Sequence, residues 1–168
     1  MKIFTHTNEK LISTALLVLR IALGVIFFAH GSQKVLGLFG GKGLDATAAM
    51  MSQMTSIPAW LFYVSAFAEL LGGIGMVLGL FTRFWGVALL INMLVAVYFV
   101  HLPHGFFAPM GFEFPGSLAM TALALTLAGP GLFSLDYLLF ASPASTAKPR
   151  NEQPFKVPSG TAQFRPTA

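Results

Sequence analysis

Residues Ala59–Leu80 read AWLFYVSAFAELLGGIGMVLGL, an apolar run with a single carboxylate, Glu69, at its centre. At 1.5 Å per residue, a helix of this length crosses a hydrocarbon core of about 30 Å. A carboxylate at that depth is costly unless it is paired, protonated or lining a wet cavity. The stretch therefore argues for a membrane helix and raises the question of what stands opposite Glu69.

The whole chain has this character. Of its 168 residues, 55% are hydrophobic and 10% charged, against about 25% charged in a soluble domain. The net charge of +4 lies mostly towards the chain ends, where it speaks to topology. No basic stripe is interleaved with aromatics, which argues against nucleic acid as a partner. There is no cysteine, so disulfides, thiol redox centres and Cys-ligated iron–sulfur clusters are excluded within these residues.

Working outward, the sequence predicts four spans. Polar residues 1–10 are expected to form a cytoplasmic N-terminus. Leu11–Ala29, interrupted by Arg20, is too long for a signal-peptide core and lacks a small-x-small cleavage site, so it reads as the first span. Gly31–Ser56 reads as a Gly-rich loop whose second half, Leu44–Met54, has the spacing of a short amphipathic helix, either a surface helix or a substrate lid. Ala59–Leu80 is the second span, with Thr82-Arg83 as the turn, and Phe84–His101 is the third. Leu102–Glu113 is too apolar for a free loop and too broken for a helix. Pro115–Ala128 starts the fourth span, Gly129-Pro130-Gly131 interrupts it, and Leu132–Phe140 continues as a short helix. Residues 141–168 are Pro-rich and aperiodic, and read as a disordered cytoplasmic tail. Lys2, Lys10, Arg83, Lys148, Arg150, Lys156 and Arg165 fall on one side, Lys34 and Lys42 on the other. The positive-inside rule then places both termini in the cytoplasm. The predicted fold is an all-α, integral membrane four-helix bundle over residues 11–140.

Depth counting assigns Glu69 a partner. Arg20 is the tenth residue of the first span, Glu69 the eleventh of the second and Asn92 the ninth of the third. All three are expected near mid-membrane as a buried polar core, with Arg20 and Glu69 as an ion pair. Gly24 and Gly31 share the face of Arg20, and Ser65, Gly72, Gly73 and Met76 that of Glu69, so small residues allow close approach there. Either a structural ion pair or a polar site for a proton, quinone head group or small solute satisfies this pattern. A second cluster, His30, Lys34, His101, His104 and Glu113, gathers at one membrane face and is the candidate ligand-binding set for a quinone or an anionic solute. Pro103 spoils the 101–104 spacing as a helical metal pair, so no metal is assigned. No P-loop, dinucleotide fingerprint or nucleophile elbow is present.

The ordered set Arg20, His30-Gly31 with Lys34, Glu69 with Gly72-Gly73, Gly79-Leu80-Phe81-Thr82-Arg83, His101, Gly111-Phe112-Glu113, Gly129-Pro130-Gly131 and Ser134-Leu135-Asp136 resembles the DoxX family of small bacterial membrane proteins. The resemblance covers about Leu11 to Phe140. It implies a bacterial inner-membrane location. Some relatives are linked to thiosulfate:quinone oxidoreduction and others to an oxidative-stress membrane complex. The expected role is a subunit of such an oxidoreductase complex, with the bilayer and a redox subunit or a second copy as partners and quinone as the cofactor. A small-solute or proton-coupled transporter and a non-catalytic assembly subunit are the alternatives.

Overall fold

The structure, a computed structural model, describes residues 8–55, 57–107 and 109–141. The expected N-terminal segment up to residue 7 and the expected tail from residue 142 lie outside these residues. Among the described residues there are helices and turns and no strand. The helices are α1 (Glu9–Val35), α2 (Leu44–Met54), α3 (Ala59–Leu78), α4 (Thr82–Ala96), α5 (Glu113–Ala128) and α6 (Leu135–Phe140). Among the described residues, three helical stretches are long and apolar enough to cross a membrane: Glu9–Val35, Ala59–Leu78 and Thr82–His104. Glu113–Ala128 is apolar but shorter. α1 packs along α3, α3 against α4, α4 against α5 and α5 back against α1. The core they share is built on Leu23, Phe27, Met76, Leu89, Ala122 and Leu125.

α1 is longer than the expected first span. Asn8 caps its start, its side chain accepting from the Lys10 N–H at 2.9 Å. The helix runs through Gly31, which was expected to open a loop, and on to Val35. Gly31 is helical because α3 lies against it: a Cβ there would sit 2.6 Å from Leu70 Cα. Gly24 and Gly73 continue the seam, since a Cβ on either would come within 2.8 Å of the other's carbonyl oxygen. Three glycines thus set the antiparallel register of α1 and α3. Gly31 stands beside Glu69 and Leu70, Gly24 beside Gly73 and Val77, and Arg20 beside Gly79.

At the Arg20 end, a polar knot joins three turns. Gly79 and Phe81 both take left-handed conformations, at φ +66° and +52°, unusual for a phenylalanine. The Asp136 carboxylate holds this turn by accepting from the Phe81 and Thr82 backbone N–H groups at 2.7 and 2.8 Å. Asp136 N–H donates back to Gly79 O at 2.9 Å, and Leu132 N–H donates to Ser13 Oγ at 3.1 Å. Arg20 is fully buried here, donating to Phe133 O, with Asp136 as its electrostatic partner. The turn is therefore Gly79–Phe81, with Thr82 already the first residue of α4.

α4 ends in a π-helical turn, Val97–His101, followed by a 3₁₀ turn over Leu102–His104. The apolar segment before α5 folds back on itself: Phe112 N–H donates to Gly105 O and Glu113 N–H to Phe106 O. α5 starts at Glu113 and tolerates Pro115 in its first turn, where no intrahelical donor is needed.

Three substitutions test this packing. Gly73→Leu should push α1 off α3 and cost about 3 kcal/mol or more, the upper end of overpacking effects. Gly116→Ala, whose Cβ meets only Phe112 Cδ2 at 3.9 Å, should be neutral or slightly stabilising; thermal unfolding in detergent reads both. Asp136→Ala should cost about 2 kcal/mol, because two charge-assisted hydrogen bonds to the turn are lost.

Candidate functional site

Glu69 is 3% exposed, and its partner is Lys34. The Lys34 ammonium donates to both carboxylate oxygens at 2.6 Å, and Asn92 Nδ2 donates to Oε1 at 2.9 Å. Arg20, the partner expected from depth counting, serves the polar knot instead. The physical reason is register. The α1 residue level with Glu69 is Gly31, eleven residues from Arg20, or about 16 Å along the axis. No guanidinium spans that distance. Lys34, one turn beyond Gly31, reaches back along the helix. Asn92 meets Glu69 as expected. Lys34 was expected at the mouth as a ligand-binding residue. Lys34 follows Arg20 by about four turns and falls on the same stripe as Gly24 and Gly31, so periodicity admits both cations and register chooses between them.

Above this triad lies a cavity of about 630 Å³. That is within the usual range for a small-molecule site. Its wall is mostly apolar, with Phe27 from α1, Ile91 and Met93 from α4 and Leu118 from α5. The polar groups on it are few: Lys34, Glu69 and Asn92, with His30, His101, Ser65 and Thr47. α2 contributes Met50 and Met51 as well as Thr47, and a hydrogen bond from Tyr63 Oη to Asp45 Oδ1 at 3.1 Å ties it to α3. This helix has the bounds expected for it, and it forms part of the cavity wall.

The titratable cluster expected at the mouth divides. His30, Lys34 and His101 line the cavity. His104 and Glu113 do not. His104 Nδ1 bonds to Val100 O at 3.0 Å within its own turn, and Glu113 opens α5, where its carbonyl accepts from Ser117 Oγ. The π turn explains the split. It lets the chain turn under His101 while the folded-back segment brings Met110 O to 2.8 Å from His101 Nδ1. A carbonyl only accepts, so Nδ1 carries the proton. Nε2, on the opposite edge of the ring, is then the acceptor of the neutral imidazole. Sequence reading did not identify Met50, Met51 or Ser65 as cavity residues. Ser65 was visible as the residue one turn before Glu69. The two methionines required knowing where α2 docks.

Chemically, the arrangement places a doubly anchored carboxylate, an ammonium and a tautomer-fixed imidazole on one apolar chamber. Lys34 has three N–H donors, two of which are spent on Glu69. Its side chain is 32% exposed, so the pair connects the chamber with the surface.

Comparison with known proteins agrees with this picture of a small helical membrane protein. Residues 15–102 match the DoxX family model. The chain is 32% identical over 124 residues to a protein of Bacillus subtilis (strain 168) named "Putative oxidoreductase CatD", covering 74% of this chain and 86% of that one. It is 30% identical over 135 residues to the "Uncharacterized membrane protein Rv3486" of Mycobacterium tuberculosis, covering 73% and 79%. No solved structure matches significantly. The family match over more than half of the chain, together with relatives aligned over most of their own lengths, shows that this protein belongs to the DoxX family.

Proposed function

We infer that this protein is the membrane subunit of an oxidoreductase complex and binds a quinone or quinol head group in the cavity above Glu69. The carrying observation is the Lys34–Glu69–Asn92 triad at the floor of an apolar chamber that also presents His101. A quinone ring needs an apolar slot, hydrogen-bond donors for its carbonyls and a proton acceptor for the quinol hydroxyl. Lys34 supplies a donor, and His101 Nε2 the acceptor. Glu69 holds the Lys34 ammonium in place through both carboxylate oxygens. Oxidation of a quinol releases two electrons and two protons. Of the residues on the chamber, His101 Nε2 and the Glu69 carboxylate would take up the two protons, and the two electrons would need an acceptor carried by a partner subunit. The name carried by the Bacillus relative supports an oxidoreductase role.

In this reading the fold is a four-helix bundle in the bacterial inner membrane with both termini cytoplasmic. α5 is the fourth span: its 16 residues cover about 24 Å, short of a full hydrocarbon core by an amount that local thinning accommodates. The excess of Lys and Arg on the side of Arg83 and the two termini supports the orientation. A cytoplasm-dependent reporter fused after Ala168 should be active, and a periplasm-dependent one inactive; the reverse result refutes the topology.

Wild-type protein purified in mild detergent should carry quinone in its lipid extract. Lys34→Met alone strands the Glu69 charge and should cost about 3 kcal/mol, or somewhat less because Lys34 is partly exposed. The Lys34→Met/Glu69→Gln double variant should recover stability but not quinone. His101→Ala should fold and hold less quinone. Quinone content unchanged in the double variant and in His101→Ala would refute the assignment of the site.

A further inference from the structure

The walls of the cavity show how a ligand reaches it. α3 and α4 are in close contact near their connecting turn. There, a Cβ on Gly72 would touch Leu89 at 3.1 Å, and Gly75 lies under the Trp85 ring. Further along, Asn92 Nδ2 donates to Glu69 Oε1 at 2.9 Å. Beyond them, residues of both helices line the cavity. Each presents it with a two-sided stripe at helical spacing. The inner edges carry Ser65 and Glu69 on α3 and Asn92 on α4. The outer edges carry Leu61 and Val64 on α3 and Ile91 and Val95 on α4. These four are exposed, Val64 and Ile91 by 57% and 56%. They are all apolar, and they lie on membrane-spanning helices, so their exposed faces meet acyl chains. The back of the chamber is closed by Phe27 and Leu118, both buried.

We propose that the cleft between α3 and α4, lipped by Leu61, Val64, Ile91 and Val95, is a lateral portal to the bilayer, and that the ligand is a membrane-dissolved molecule with a ring-sized polar head and an apolar tail. The head sits against Lys34, Glu69 and Asn92. The tail leaves between the four lips and stays in hydrocarbon along its whole length, so it is never transferred to water. A water-soluble ring without a tail uses the head subsite alone. This inference rests on the reading of the cavity as a quinone-class site and adds the entry route and the requirement for a tail.

The test uses full-length protein in phosphatidylcholine nanodiscs and two probes, an alkyl-tailed quinone and the same ring without its tail. The wild type should bind both, the tailed probe more tightly. Val64→Phe/Ile91→Phe fills the portal and should weaken the tailed probe about tenfold, the loss of roughly two buried methylenes, while the tail-less ring is unchanged. Val18→Phe, on an exposed position of α1 that does not line the cavity, should alter neither. Should the double Phe variant not accumulate, Val64→Ala/Ile91→Ala widens the portal and should speed association of the tailed probe. Equal binding of the tailed probe by wild type and the Phe variant, equal weakening of both probes, or an unchanged association rate in the Ala variant overturns the portal while leaving the head-group site standing. Failure of the wild type to bind either probe overturns the quinone reading and the portal with it.

Discussion

Gly24, Gly31 and Gly73 bring the backbones of α1 and α3 into contact, and that contact governs where every charged group in the membrane region lies. Between helices in lipid there is little hydrophobic drive, so close approach and dispersion decide the pairing. A seam of three glycines offers one register in which the backbones fit. Sliding α1 by a turn would bring Phe27 or Phe28 where a glycine must stand. Once the seam is closed, Arg20 is level with Gly79 and Gly31 is level with Glu69, and the charges take the partners within reach.

Two buried charges on facing helices then resolve in two separate places about 16 Å apart along α1. Arg20 binds a carbonyl and faces the Asp136 carboxylate, whose other duty is to hold a turn containing a left-handed phenylalanine. Glu69 takes Lys34 and Asn92. The first cluster is closed, made of turns and backbone groups, and is architectural. The second lies on a cavity and uses side chains alone. A single Arg20–Glu69 pair would have neutralised both charges at mid-membrane and left no polar site on the chamber. The division gives each end of α1 its own electrostatic anchor, and it leaves a lysine with a donor to spare beside an apolar space.

Much of this was legible in the residues. The apolar spans, the small α2 with its bounds, the burial of Glu69 and its contact with Asn92 follow from length, hydropathy and periodicity. His30, Lys34 and His101, expected together at one membrane face with His104 and Glu113, line one cavity without those two. Besides the partner of Glu69, three things escaped. Gly31 looks like a loop residue because glycine usually ends helices, yet here it is helical because a neighbouring backbone occupies the space a side chain would need. His101 and His104 look equivalent, but a π turn sends one to the cavity and keeps the other on its own turn. The methionines of α2 look like an ordinary apolar stripe until the helix is docked.

By itself the sequence determined the elements and their environment: all-helical, apolar enough to span a membrane, free of cysteine, with one carboxylate in the central helix. Those properties are local, since hydropathy, helical period and residue chemistry are read within a window of a few turns. Tertiary structure alone decided that Glu69 pairs with Lys34 and not with Arg20. Pairing depends on the relative axial shift of two helices, which is set by the sum of contacts along the glycine seam. A shift of a few residues is invisible to depth counting, because the ends of an apolar run do not mark the ends of its helix: α1 continues to Val35, six residues beyond the end of the hydrophobic run at Ala29.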